Sequence, residues 1–193
     1  MKSLQGTKTE QNILKTFAGE SQARNRYDYF AKQAEKEGLI QISHIFAETA
    51  LQEKEHAKRM FKLLQSGAGL EITAMYPAGK IGNTMENLEE AAGGEHEEWS
   101  DLYPSFAMTA RSEGFEEIAK IWDHIALAEK HHQERYLALL NILKSGGAFK
   151  RNGKVTWVCL NCGYLEEASE EAPKSCPACA HPQAYFAVFN EKF

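Results

Sequence analysis

The 193-residue sequence predicts an all-α four-helix bundle with one long crossover, followed by a small β-rich metal-binding domain. Three observations carry that prediction. Four long runs place apolar residues at helical spacing, a pattern of one Glu followed by Glu-x-x-His occurs twice, and two Cys-x-x-Cys pairs lie near the C-terminus. The expected domains are residues 1–147 and 154–193.

The first helix is expected over about 8–37, where Ile13, Phe17, Tyr27, Ala31 and Ala34 recur at helical spacing and Gly38 ends the run. A second follows over about 39–66, with the stripe Ile42, Phe46, Ala50, Ala57, Met60 and Leu64, and with Gly67 as its cap. So short a turn makes the pair antiparallel. Residues 67–83 carry Gly67, Gly69, Pro77, Gly79 and Gly82 without a sustained period and read as a connection. A 28-residue helix is about 42 Å long, and 17 extended residues reach roughly 56 Å, so the connection can run back along the bundle. That makes the third helix parallel to the second. It is expected to open at Asn83 with Glu86 three residues on, a capping-box pattern, and to run to Gly114. The fourth covers about 115–144, with Trp122, Ile125, Ala126, Tyr136, Leu140 and Leu143 inside. Two antiparallel pairs joined by one crossover make a ferritin-like topology.

The two pairs are related by an internal duplication. A shift of 76 superposes Tyr27 on Tyr103, Gly38 on Gly114, Phe46 on Trp122, Glu53 on Glu129 and His56 on His132. The register slips by one residue between Glu95 and Tyr103 relative to Glu20 and Tyr27. One extra residue inside a helix is accommodated as a π-bulge, and Pro104 has no N–H for the carbonyl four residues earlier, so irregular helix is expected near 98–104.

The duplicated motif is chemically specific. Glu and His three apart on a helix point the same way, so Glu53 with His56 and Glu129 with His132 can aim at a common centre. Glu20, Glu95 and Glu98 lie on inner faces of the preceding helices. Five carboxylates in one core require cations, since an unpaired buried carboxylate costs several kcal/mol. Lys54 and Lys130 point about 100° away from the glutamates they follow. Carboxylates with two imidazoles and no thiolate suit iron or manganese before zinc or copper. Glu53 and Glu129 are best placed to bridge two ions, and Tyr27 and Tyr103, about two turns from the first carboxylates, can hydrogen-bond terminal glutamates or simply fill the core. His44, His96, His124, His131 and His181 need no metal role.

All four cysteines, Cys159, Cys162, Cys176 and Cys179, fall in one segment, which excludes a disulfide framework spread over the fold. Paired Cys-x-x-Cys units make a tetrahedral thiolate site, and about 40 residues cannot hold a core without the metal. Spacing alone allows structural zinc. CLNCGY and CPAC look like rubredoxin knuckles, which favours iron, with Trp157, Tyr164, Tyr185 and Phe186 as an aromatic shell; Ala180 stands where rubredoxins have glycine.

A duplicated carboxylate bundle followed by such a tail resembles the rubrerythrin family along essentially the whole chain. The resemblance implies two iron ions, oxo-bridged when oxidised, held by Glu20, Glu53, Glu95, Glu98, Glu129 and His132, with His56 exchanging with Glu98 at one iron. It implies a third iron on the four cysteines. The implied activity is reduction of hydrogen peroxide to water in protection against oxidative stress, with electrons from NADH through a separate reductase or rubredoxin. Glu98 and His56, backed by Tyr27 and Tyr103, are the candidate catalytic set.

Bulk properties narrow the partners. A formal charge of -5 from 22 basic and 27 acidic residues disfavours nucleic acid or an anionic membrane. No leader or membrane span is legible, so a cytoplasmic protein is expected. Glu129 precedes Ser145 by 16 residues, ~24 Å of helix, so the tail starts far from its own bundle site and a head-to-tail homodimer is expected. A ferritin-class ferroxidase that detoxifies iron and a non-catalytic protein with zinc in the tail are the competing readings.

Overall fold

The computed structural model describes residues 3–64 and 66–190; residues 1–2 and 191–193 of the two expected domains, and residue 65 of the expected second helix, lie outside them. Helices α1 (Lys8–Lys36) and α2 (Ile40–Phe61) form one antiparallel pair. The second pair is α3 (Thr84–Glu97), a π-helical turn (Glu98–Leu102) and α4 (Tyr103–Ser112), all packed on α5 (Glu116–Lys144). The tail is a three-stranded antiparallel sheet in the order β2 (Leu165–Glu171), β1 (Lys150–Cys159), β3 (Phe186–Val188). Among the described residues no helix is long and apolar enough to cross a membrane.

The duplication is visible in the turns. Gly38 and Gly114 have φ of 74° and 80°, a left-handed conformation that glycine adopts without Cβ strain. In each turn an amide reaches back five residues, Leu39 N to Ala34 O at 2.9 Å and Phe115 N to Ala110 O at 2.8 Å. The residue before each glycine does a second job. Glu37 accepts from Thr84 N at the start of α3, and Glu113 accepts from Lys8 N, Thr9 N and Thr9 Oγ1 at the start of α1. Each half thus caps the first helix of the other. Because Glu37 from the α1–α2 turn reaches the start of α3, α3 begins where α2 begins, which makes the two parallel.

Partial burial works against ionised Glu37, but hydrogen bonds from Gln33 and Thr84 outweigh it and hold the carboxyl below its ordinary 4.5. Its stabilisation is therefore present above pH 4.5 and is lost as the pH falls through the lowered value. Glu37→Gln is expected to cost about 0.3–1 kcal/mol at pH 7, at the low end because the site is exposed to solvent screening. Melting curves taken from pH 7 downward check it, since the difference between variant and wild type should shrink once the pH falls below 4.5.

Asn83 and Glu86 form the expected capping box, and the slipped register appears as the π turn, closed by Tyr103 N donating to Glu98 O. Trp99 ties this turn to α5 by donating to Gln133 Oε1 at 2.7 Å. One boundary differs. Helix α2 ends at Phe61 with Lys62 as its cap, so Gly67 does not terminate it. Leu63 N and Leu64 N bond only three residues back, and this tighter turn lets both adjacent leucines pack on the core.

Two apolar layers fill the bundle. Tyr27, Phe30, Phe46, Leu88 and Tyr136 occupy one end, and Ile13, Met60, Tyr103, Phe106 and Trp122 the other. Between them lies a belt of fully buried carboxylates. The tail sits at the Gly38 end, where Phe186 and Phe149 face Ile40 and Leu139 across a small cavity.

Candidate metal centre

Two sets of donor atoms meet in the belt, each with all its atoms within 4.8 Å of one another: Glu20, Glu53, His56 and Glu129, and Glu53, Glu95, Glu129 and His132. Glu53 and Glu129 belong to both. His56 Nδ1 lies 3.1 Å from Glu53 Oε2 and 2.9 Å from Glu129 Oε1, while His132 Nδ1 lies 3.0 Å from Glu53 Oε1 and 2.8 Å from Glu129 Oε2. Each shared carboxylate therefore turns one oxygen to each half. Glu20 and Glu95 serve one half each.

The terminal carboxylates are held across the duplication. Tyr27 Oη of the first half donates to Glu95 Oε1, and Tyr103 Oη of the second to Glu20 Oε1, both at 2.5 Å. These bonds leave the inward oxygens free. Glu20 Oε2, Glu53 Oε1, Glu95 Oε2 and both oxygens of Glu129 are buried with no hydrogen-bond partner among the described residues, although imidazole nitrogens are close. Buried carboxylate oxygens in native proteins are almost always satisfied. Atoms that crowd together without hydrogen-bond alignment, all aimed at two points, fit cations at those points, and an all-oxygen and imidazole donor set fits iron.

The electrostatics agree. Burial, followed by the charges of Glu129 and Glu53, raises the Glu20 carboxyl well above the usual range, and burial with Glu53 pushes Glu95 up to about 8. Burial opposes charge on the two rings, yet the adjacent carboxylates of Glu129 and Glu53 overcome it and push His56 up to about 10 and His132 to about 12. Without metal the imidazolium ions are the only cations among the donor groups. A bound metal ion displaces those protons.

Glu98 belongs to neither set. It opens the π turn, and with Tyr103, Gly19 and Tyr76 it lines a cavity of about 260 Å³ between α1, the π turn and the crossover. Burial and the charges of Glu95 and Glu129 raise its carboxyl well above the usual range. Tyr76 fastens the crossover over this cavity by donating to Lys15 O at 2.9 Å. The five remaining histidines enter no donor set among the described residues. Gln52, which sequence reasoning did not single out, places its Oε1 3.0 Å from His132 Nε2. A lone half-buried glutamine carries no periodic signal that would have marked it.

In the tail all four sulfurs lie within 4.8 Å of one another, with Cys159 to Cys179 at 3.7 Å and Cys162 to Cys176 at 3.6 Å. Disulfides are excluded at those separations. A tetrahedron with metal–sulfur bonds near 2.3 Å has edges of about 3.8 Å, so the four thiols fit one ion. Trp157 and Phe186 are fully buried beside Cys159 and Cys176, with Tyr164 and Tyr185 packed against them, which is the expected aromatic shell. The two knuckles share a turn, with Gly163 N bonded to Cys159 O and Ala180 N to Cys176 O. Ala180 takes a φ of 60°, where a Cβ is strained. Ala180→Gly is expected to stabilise the tail by about 0.5–1 kcal/mol, after allowing for glycine's greater freedom when unfolded. Slower loss of the tail metal to a chelator, by roughly two- to fivefold, is the measurement.

Comparison with known proteins covers both parts. The rubrerythrin family model matches residues 11–140, and the model for the rubrerythrin rubredoxin-like domain matches residues 157–187. Rubrerythrin of Porphyromonas gingivalis is 59% identical over 96% of this chain and 92% of its own, and rubrerythrin of Nitratidesulfovibrio vulgaris is 56% identical over 98% of each. Among solved structures, fully reduced, all-ferrous nigerythrin superposes with a TM-score of 0.65 at 31% identity, over 97% of this chain and 89% of that one. Symerythrin from Cyanophora paradoxa, at 22% identity and a TM-score of 0.63, shares the bundle fold over 75% of this chain and 89% of its own. With a di-iron ferritin-like site and a four-cysteine rubredoxin-like site on one polypeptide, matched end to end by such relatives, the chain belongs to the rubrerythrin family.

Proposed function

We propose that this chain is a non-haem di-iron peroxidase that reduces hydrogen peroxide to water, with electrons entering through the four-cysteine iron. The observation that carries the reading is the pair of donor sets sharing Glu53 and Glu129, on the same chain as a thiolate tetrahedron. Glu20, Glu53, His56 and Glu129 would hold one ion, and Glu53, Glu95, Glu129 and His132 the other. Glu98, outside both sets, is the carboxylate that exchanges with His56. Two ferrous ions, when bound, supply the two electrons that cleave the O–O bond and act as Lewis acids toward its oxygens.

The chain's own residues do the rest. The cavity of about 260 Å³ beside Glu98 and Tyr103, covered by the crossover, has room for a small substrate. A raised Glu98 carboxyl holds a proton there, available to the departing oxygen. Tyr27 and Tyr103 keep Glu95 and Glu20 oriented, and the apolar layers above and below exclude bulk water. The balance is one peroxide, two electrons and two protons to two waters.

The tail seats Ala184 beside Gly38, and Glu53 lies fifteen residues further on, ~22 Å along α2. That separation favours electron delivery from the tail of a second subunit in a head-to-tail homodimer. The external donor is a rubredoxin or an NADH-dependent reductase, and the setting is cytoplasmic defence against oxidative stress.

The test is anaerobic turnover of the iron-loaded protein with NADH, a reductase and rubredoxin. Peroxide-dependent NADH oxidation, falling per subunit on dilution below the dimer, is expected. A protein that instead oxidises added ferrous ions with dioxygen and ignores peroxide is a ferroxidase, and a colourless tail loaded with zinc refutes the electron inlet.

A further inference from the structure

We propose that Arg26 receives the peroxide, holding one of its oxygens through Nη2 in the cavity beside Glu98. The proposal rests on the peroxidase reading and deepens it, because it names the group that positions the substrate before the bundle reacts.

Arg26 belongs to α1, and its side chain is only 14% exposed. A guanidinium withdrawn that far from water needs partners, and two of its three nitrogens have them. Nε donates to Gln22 Oε1 at 2.7 Å, and Nη1 donates to Glu90 Oε1 on α3 at 2.8 Å. The ring of Tyr27, with its centroid 5.8 Å from Cζ, braces the group further. Among the described residues Nη2 makes no hydrogen bond. It lies toward the cavity. Arg26 and Gly94 both line that space, and a Cβ built on Gly94 would come to 3.9 Å from Nη2. Glycine is a poor helix former, so its place inside α3 calls for a reason, and here it leaves the Nη2 donors uncovered.

The internal duplication sharpens the assignment. The shift of 76 that superposes Tyr27 on Tyr103 puts Leu102 opposite Arg26. Leu102 lines the same cavity, so the two halves face it with an isobutyl group on one side and a guanidinium on the other. Glu98 has no glutamate counterpart either, since the shift of 76 sets it against Gln22 and the shift of 75 that matches Glu20 to Glu95 sets it against Ala23. Arg26 on α1 and Glu98 on the π turn are therefore polar groups that the repeat does not account for, and both line one cavity. Each oxygen of hydrogen peroxide accepts and donates. A guanidinium N–H fits its lone pairs, and a carboxyl oxygen fits its O–H. A hydrogen bond from a charged donor is worth roughly tenfold to a hundredfold in affinity.

The test compares iron-loaded wild type with Arg26→Met, Arg26→Lys and Gly94→Ala. In turnover with an external donor, Arg26→Met is expected to raise KM for peroxide about tenfold with kcat retained, since it removes a contact made alike in the bound and reacting states. Arg26→Lys keeps a cationic donor and should recover most of the loss. Gly94→Ala leaves Arg26 in place but sets a methyl group over Nη2, so KM should rise while the melting temperature rises too. Oxidised crystals, whose bundle has no electrons to give, are then soaked in hydrogen peroxide. Wild type should show peroxide within hydrogen-bond distance of Nη2, and Arg26→Met should lose it. A fall in kcat or iron content with KM unchanged makes Arg26 purely structural and overturns the proposal, as does peroxide in the same place in Arg26→Met. If Arg26→Met does not fold, an unchanged KM in Gly94→Ala or the absence of peroxide at Nη2 in wild type overturns it. Wild-type crystals that hold peroxide at Nη2, in a protein that does not turn it over, remove the peroxidase reading and leave the site standing. Turnover without peroxide at Nη2 does the reverse.

Discussion

Glutamine at position 129 is expected to cost both bundle ions at once. Glu129 turns Oε1 to the His56 half and Oε2 to the His132 half, and both oxygens are otherwise unpartnered among the described residues. An amide offers one weak acceptor and a donor where two anionic oxygens are needed. Loss of an outer hydrogen bond to a metal ligand already costs 10–100-fold, so loss of a shared ligand should lower peroxide reduction by at least about 100-fold. Glu20→Gln is the control. Glu20 serves only the His56 half, and a glutamine there can still accept from Tyr103, so one ion should be retained. Iron content per subunit, with Mössbauer spectra of the two variants, separates a shared ligand from a terminal one.

Cysteine 176 to serine should remove the tail as a folded unit. The tail's core is small: Trp157, Phe186 and Ala172 pack around Cys159 and Cys176 themselves. Structural thiolate sites supply about 10–16 kcal/mol in peptides of comparable size, far more than such a core provides. The variant should lose its red ferric-thiolate absorption and the slow amide exchange of β1. Turnover with an external donor should fall by at least about tenfold, while a bundle reduced chemically should still react with peroxide at the wild-type rate. Equal losses in both assays would mean that the tail supports the bundle structurally and is not its electron inlet.

How much of this was legible in the sequence depends on the range of the interaction. Helical periodicity, the Asn83–Glu86 box and the Glu-x-x-His spacing are local, and each appears where expected. The π turn was legible because a slip in a repeat has one physical remedy inside a helix. The end of α2 was not, since Leu63 and Leu64 leave the helix to reach a core built by other segments. Glu37 and Glu113 act across the bundle on helices far away in sequence, although their shared place before Gly38 and Gly114 was a usable sign. Gln52 had none, because its contact with His132 joins α2 to α5 and only the folded pair of helices exposes it.

The central claim is that the bundle site spends its electrons on peroxide and is refilled through the thiolate iron. Stopped-flow absorption of the fully reduced, iron-loaded protein, mixed in separate shots with hydrogen peroxide and with dioxygen, tests it in one measurement. The expected result is fast oxidation of the bundle by peroxide, followed by the rise of the ferric-thiolate band, with dioxygen much slower. Faster reaction with dioxygen, or a thiolate iron that stays ferrous while the bundle is oxidised, would contradict it.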